Sequence, residues 1–221
     1  MSQLKKTKYF KKIKVTFLIN NKNSWFSKYL VKFFKKKSKK HIFKFEEKIN
    51  NIKNQDMIFF INLTNILKER FLKKNKLNLV IHAGNLPKDK GGAPLQWQIL
   101  RGKNEISVCL FEATKLVDAG DIIMKTKIKF NGSELYDELR DKQAKVMIKL
   151  IKNFLKIYPN FKRKKQLGKS TFNRLRKPKD SELNIHKSIK SQFNLIRIAD
   201  NKEYPLFFYI NKKKYFLRVY K

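Results

Sequence analysis

The chain has one cysteine, seven glycines, five prolines and only 17 acidic residues against 54 basic ones in 221 positions. A single thiol, Cys109, excludes an internal disulfide and any zinc cluster built on cysteines. It lies in the apolar run Val108 to Phe111, where a small buried thiol is the ordinary occupant. The longest apolar stretches, such as "MIFFI" and "VTFLI", fall far short of the roughly 20 residues that a membrane-crossing helix needs. The basic start, "MSQLKKTKYFKKIKVTFLI", has too short an apolar part for a secretory signal, is broken at Asn20 and Asn21, and has no small-residue cleavage site. A reducing, cytoplasmic setting is therefore expected. No GxGxxG or GxxxxGK[ST] phosphate loop occurs, and there is no GxSxG, no HExxH and no paired Asp or His at metal spacing. What is left is chemistry that needs histidine and carboxylate without a metal.

The scarcity of acid leaves a formal charge of +37. Only eight of the basic residues are arginine, the side chain whose fork matches phosphate oxygens. Lysine is spread along the whole chain beside Asn, Ile and Phe, as it would be when filling solvated positions by default. A nucleic-acid surface is the competing reading of the same charge. With 42% hydrophobic residues, the chain can bury a sizeable core.

Apolar runs alternate with helical patterns. "IKVTFLI" (Ile13 to Ile19), "HIFKF", "DMIFFIN", "LNLVIH", "ISVCLFEA" and "IIMKTKIKF" read as strands. Between them, helices are predicted over Ser24 to Lys37, with an apolar face of Trp25, Tyr29, Val31 or the Lys32 stem, and Phe33, near Leu67 to Lys73, and at "APLQWQIL", where Leu95, Ile99 and Leu100 face inward. The strongest helix is "NGSELYDELRDKQAKVMIKLIKNFLKIY", capped by Ser133, with Leu135, Leu139, Val146, Leu150 and Phe154 at helical spacing. Trp25 and Trp97 fall in amphipathic patterns and read as core residues. This order predicts an α/β fold, a mainly parallel sheet with helices on both faces, over residues 1–160. Residues 161–221 are expected to form a small α+β appendage: a polar linker, a helix over Ser188 to Ala199, and a hairpin turning at Asn211 to Lys213. Aromatic strands near the end of the sequence make a homodimer an expectation.

One stretch differs in character. In "VIHAGNLPKDKGGAPLQWQIL" (Val80 to Leu100), His82 closes a strand and is followed by a loop rich in Gly and Pro. Ligands in such sheets bind beyond the carboxyl ends of the strands. Asp118, in "VDAGD", also follows a strand. If the two strands are neighbours, imidazole and carboxylate meet, and the pair can hold or move a proton during attack by an amine or hydroxyl. A turn-forming aspartate is the plainer alternative. His41 and His186 lack comparable surroundings.

"IHAGNLPKDKGGAPLQWQIL" followed by "VDAGDII" resembles the folate-dependent formyltransferases, the family of the methionyl-tRNA and glycinamide ribonucleotide enzymes. The resemblance implies a Rossmann-like catalytic fold and transfer of a formyl group from N10-formyltetrahydrofolate to an amine, with no metal. It implies His82 as the catalytic histidine and Asp118 as its orienting carboxylate. Asn65, Ile66, Leu67, Leu116 and Val117 match positions that hold the pteridine. One position departs: Val80 stands where the family's catalytic Asn is expected, and valine cannot donate a hydrogen bond to an oxyanion. Asn85, in the next loop, is the candidate replacement. "NNKNSW", "LFEA" and "KDSELNIHKSI" are similar to bacterial sugar N-formyltransferases, which implies a nucleotide-linked amino sugar as acceptor; 60 residues leave no room for the large C-terminal barrel expected of the tRNA enzyme. A methionyl-tRNA or glycinamide ribonucleotide acceptor, or a non-catalytic basic RNA-binding descendant of the fold, are the alternatives.

Overall fold

A computed structural model describes residues 12–19, 24–35, 38–61 and 67–221. Its centre is a six-stranded sheet in the order β2-β1-β3-β4-β6-β7, formed by β1 (Ile13–Ile19), β2 (His41–Glu46), β3 (Met57–Ile61), β4 (Asn78–His82), β6 (Glu105–Glu112) and β7 (Ile122–Lys129). The first four strands are parallel, while β6 runs antiparallel to β4, and β7 antiparallel to β6. The sheet is mainly parallel, as expected, with β6 alone running against the other five strands.

Both faces are covered, which is why β3 is apolar at every position. Met57, Phe59 and Ile61 point into the main core beneath α1 (Ser27–Phe34) and α4 (Tyr136–Ile157), with Phe59 edge-on to Phe154. Ile58 and Phe60 point to the opposite face, where Leu18, Ile52 and Leu67 join them and Phe71 of α2 (Glu69–Leu72) packs against them. The strand period of two thus divides one pentapeptide between two cores.

The structure revises three helix readings. Phe26, just before α1, and Leu30 and Phe34 within it, spaced four apart, are buried, with the Phe34 ring packed on Phe17 and Phe43. Val31 and Phe33, expected on the inner face, are exposed, and Trp25 and Tyr29 are half-buried. α4 begins at Tyr136, not beside Ser133. Ser133 is turned back to Asn131, and it is Glu138 that accepts the Leu135 N–H at 2.9 Å. Of its predicted face, Leu139, Leu150 and Phe154 are buried, with Met147, Ile148 and Ile151 filling the rest. The helix expected over Ser188 to Ala199 is a 3-10 turn at Lys190–Gln192 followed by the short α5 (Phe193–Arg197).

Beyond residue 160 the chain returns to the sheet rather than leaving it. Lys164 pairs with Ile122 at the start of β7, and β8 (Phe172–Asn173) pairs with β5 (Lys90–Gly91) just after His82. α5 delivers Arg197 to a fully enclosed site, where it bonds the Glu134 carboxylate at 3.2 Å and Asn104 at 3.0 Å. The final hairpin, β9 (Leu206–Ile210) and β10 (Lys213–Leu217), turns at Asn211 and Lys212, whose φ of 48° and 63° suit a two-residue hairpin turn. It closes a satellite core of Leu183, Ile196, Ala199 and Leu206.

Burial alone would raise the Glu134 carboxyl, but Lys142 and the N–H groups of Asn131 and Gly132 outweigh it and hold it at about 2. A carboxyl held below its unfolded value contributes stability that is complete above roughly pH 4.5 and is lost as pH falls toward 2. Glu134→Gln should flatten stability measured by urea melts across that window. At neutral pH it should cost about 3–5 kcal/mol, because Arg197 is left buried without its carboxylate.

Candidate active site

β4 ends at His82, whose ring is 8% exposed at the floor of a cleft. Gly84 makes the next turn possible: a Cβ there would lie 2.6 Å from His82 Cδ2 and 2.9 Å from the Asp89 carbonyl oxygen. The loop can therefore close on the ring, and Asp89 O lies 2.7 Å from His82 Nε2. A carbonyl only accepts, so Nε2 carries the hydrogen, and Nδ1 is the nitrogen left to gain or lose a proton.

Asp89 is held from three sides. Its carboxylate meets Arg101 at 2.6 Å and Lys103 at 3.5 Å, and its N–H donates to Thr171 Oγ1 at 2.9 Å. The residue is buried and left-handed, with φ 63°. None of this was legible in the sequence: the group that touches the histidine is a backbone carbonyl, and Thr171 lies 82 positions away.

Asp118 does meet His82, but by another route than expected. Because β6 is antiparallel to β4, Glu112 at its end lies beside Leu79, at the far end of β4 from His82. The loop that follows must run back over the sheet. It leaves and returns at one point, where Glu112 N donates to Asp121 O at 3.0 Å, and Gly120 packs so tightly on the Glu112 carbonyl that a Cβ would sit at 1.7 Å. Gln166 clamps it further by donating to the carbonyls of Asp118 (2.9 Å) and Gly120 (2.8 Å). At its inner edge Asp118, with φ 49°, accepts the Gly91 N–H at 2.8 Å and faces His82 Nδ1 at 3.6 Å through the same Oδ2. Asp118 is thus fixed by the loop after His82 while its carboxylate stands within ion-pairing range of the ring.

The family model for formyl transferases matches residues 5–153, two-thirds of the chain, and these hold both His82 and Asp118. The chain belongs to the formyl transferase family. The methionyl-tRNA formyltransferase of Malacoplasma penetrans is 31% identical over 122 residues, which are 53% of this chain and 38% of that protein. This chain therefore spans about two-fifths of the length of such curated relatives. Among solved structures, a methionyl-tRNA formyltransferase from Clostridium thermocellum superimposes with a TM-score of 0.77 at 23% identity, over 93% of this chain and 90% of that one. A sugar N-formyltransferase from a Shewanella species gives 0.72 at 14% identity, over 94% and 97%. At these identities the superpositions speak for the fold.

This family member carries an apolar slot beside the histidine. Phe60, Leu67, Val80, Phe111 and Ala113 line it, and Leu116 and Val117 overhang it with 64% and 49% of their surface open. Asn65 and Ile66, the other two residues expected at the pteridine, lie outside the described residues. Val80 shares the His82 side of the cleft, as the strand period requires, and packs among Leu67, Phe60 and Phe111 without offering a donor. Asn85 is corrected: it is exposed, does not line the cleft, and its Oδ1 accepts a hydrogen bond from Lys125 Nζ of β7. Lys125 stands opposite Cys109 on the neighbouring strand and draws the amide outward. Cys109 itself is buried, with its Sγ donating to Gly84 O at 3.3 Å. Trp97, expected in the core, is half-buried against the C-terminal segment, donating to Arg174 O at 2.8 Å. Among the described residues no group of three or more His, Cys, Asp or Glu side chains is placed to hold a metal, and no helix is long and apolar enough to cross a membrane.

Gly84→Ala should push the imidazole out of line and lower turnover by about a hundredfold, as an ångström-scale displacement of a reacting group does. Tetrahydrofolate binding, read by fluorescence titration, should stay near the parent value.

Proposed function

We propose that the protein transfers the formyl group of N10-formyltetrahydrofolate to the amine of a nucleotide-linked amino sugar. The observation that carries the transfer is the juxtaposition of His82, held with Nδ1 free, and Asp118, at the mouth of an apolar slot. The slot fits a flat heterocycle: its walls are apolar, and the open Leu116 and Val117 side chains are the kind of surface that a ring would cover. The full cleft, about 1810 Å³, exceeds what one small ligand needs and leaves room for donor and acceptor together.

The donor supplies an activated formyl carbon. His82 Nδ1 takes a proton from the attacking amine as its nitrogen bonds that carbon, and the same proton can return to the donor nitrogen as the old bond breaks. Asp118 stabilises the ring while it carries the proton, and the Asp89 carbonyl keeps Nε2 out of the exchange. The developing charge on the formyl oxygen finds no donor at Val80, so the protein is expected to be a slow member of its family.

The sugar reading is supported by the superposition on the Shewanella sugar enzyme, which takes in nearly all of both chains, residues beyond 160 included. A methionyl-tRNA acceptor remains the second reading because that name stands on the similar curated relatives and on the Clostridium thermocellum structure.

The test is release of tetrahydrofolate from N10-formyltetrahydrofolate with a panel of UDP-, dTDP- and GDP-linked amino sugars, and separately with methionyl-tRNA. Turnover with one sugar, abolished in His82→Ala, is the expected result, and turnover with methionyl-tRNA alone would replace the sugar reading. Val80→Asn should raise the rate roughly tenfold or more by restoring a donor beside the histidine; an unchanged rate would show that valine is not what limits this protein.

A further inference from the structure

Opposite the apolar slot, the cleft wall carries two guanidinium groups that the transfer chemistry does not use. Arg176 is 8% exposed, with Nη2 donating to Asp180 O at 3.1 Å and Ser181 Oγ at 3.0 Å, while its enclosed Nε has no partner. Arg140, on the first turns of α4, bonds Gln143 through Nη1 and likewise leaves an enclosed Nε unmet. Neither makes an ion pair among the described residues. Asp180, the carboxylate nearest to hand, is bonded at both oxygens by Arg174. Glu138 pairs with Lys221, and Asp200 receives the N–H groups of Lys202 and Glu203 and interacts with the Tyr136 hydroxyl.

Aromatic rings frame the two groups. Arg140 lies over Trp25 at 4.5 Å and over Tyr136 at 5.1 Å, and Arg176 over Tyr204 at 5.7 Å. All five residues line the same cleft as His82. Burial lowers the Arg176 guanidinium, and the charge of Arg140 pushes the same way, against the pull of Asp180. The wall connects directly to the chemistry: Asp118 holds Gly91, the next residue, Gly92, is in contact with Leu175, and Arg176 follows. Two neighbouring guanidiniums on one cleft wall, with no carboxylate paired to either among the described residues, repel each other, and an anion bound between them would offset that repulsion.

We propose that Arg140 and Arg176 form an anion-recognition subsite for the acceptor's phosphate groups, with Trp25, Tyr136 and Tyr204 offering ring faces to an attached planar base. This rests on the acceptor reading above and adds its binding residues. Paired guanidiniums are the side chains best matched to phosphate oxygens, and they stand out in a chain that otherwise uses lysine.

UDP and inorganic pyrophosphate binding to the full-length protein, followed by calorimetry, tests the subsite without turnover. Arg140→Gln and Arg176→Gln should each weaken UDP roughly tenfold or more, with tetrahydrofolate affinity unchanged and Lys149→Gln, on the outer side of α4, binding as the parent does. If Arg176→Gln fails to fold, Arg140→Gln and Arg140→Lys carry the test, the lysine restoring part of the affinity. No UDP binding by the parent, equal binding by Arg140→Gln, or an equal loss in Lys149→Gln would overturn the proposal. With a reactive acceptor, the arginine variants should raise its KM while kcat stays within about threefold. Absence of turnover alongside arginine-dependent UDP binding would count against the transfer reading and leave the subsite standing.

Discussion

The hydrogen bond from His82 Nε2 to the Asp89 carbonyl is the contact on which the site depends. It selects the tautomer, directs Nδ1 to Asp118, and is possible only because Gly84 has no side chain to obstruct it. A backbone carbonyl is a useful partner for such a purpose, since it cannot take up or release a proton and so cannot compete with the reaction. It must, however, be held in place by others. Arg101 and Lys103 do this from the turn after residue 100, and Thr171 from a segment about 70 positions later.

The loop bearing Asp118 follows a comparable logic. Its two ends are tied together at Glu112 and Asp121, its inner edge is tied to Gly91, and its tip, Leu116 and Val117, is left open. Rigid where it meets the histidine, it presents loosely packed apolar side chains where a ligand would lie.

Much of this was legible in the sequence. Strong apolar runs such as Met57–Ile61 and Glu105–Glu112 announce strands because no other element buries so many adjacent apolar residues in so few positions, and His82 and Asp118 stood out as polar groups after such runs. The antiparallel direction of β6 was not legible, since strand direction is set by pairing partners rather than by the strand's own residues. The α1 face was misread because Trp25, Tyr29, Val31 and Phe33 are as apolar as Phe26, Leu30 and Phe34, so that composition could not choose the side. Asn85 went wrong because its captor, Lys125, sits 40 positions away, and in a chain so rich in lysine no single one draws notice. Arg140 and Arg176 meet only once α4 and the segment after β8 have both docked.

The contact between Thr171 and Asp89 extends beyond the loop it steadies. The last quarter of the chain supplies a hydroxyl to the loop around the histidine, a strand partner to Lys90–Gly91, and the guanidinium that fills the enclosed site at Glu134. Its codons therefore share in the fate of the reacting histidine. A frameshift or premature stop after position 160 would spare His82 and Asp118 yet remove the partners that hold the loop around them, so the recognisable signature can outlast the geometry it marks.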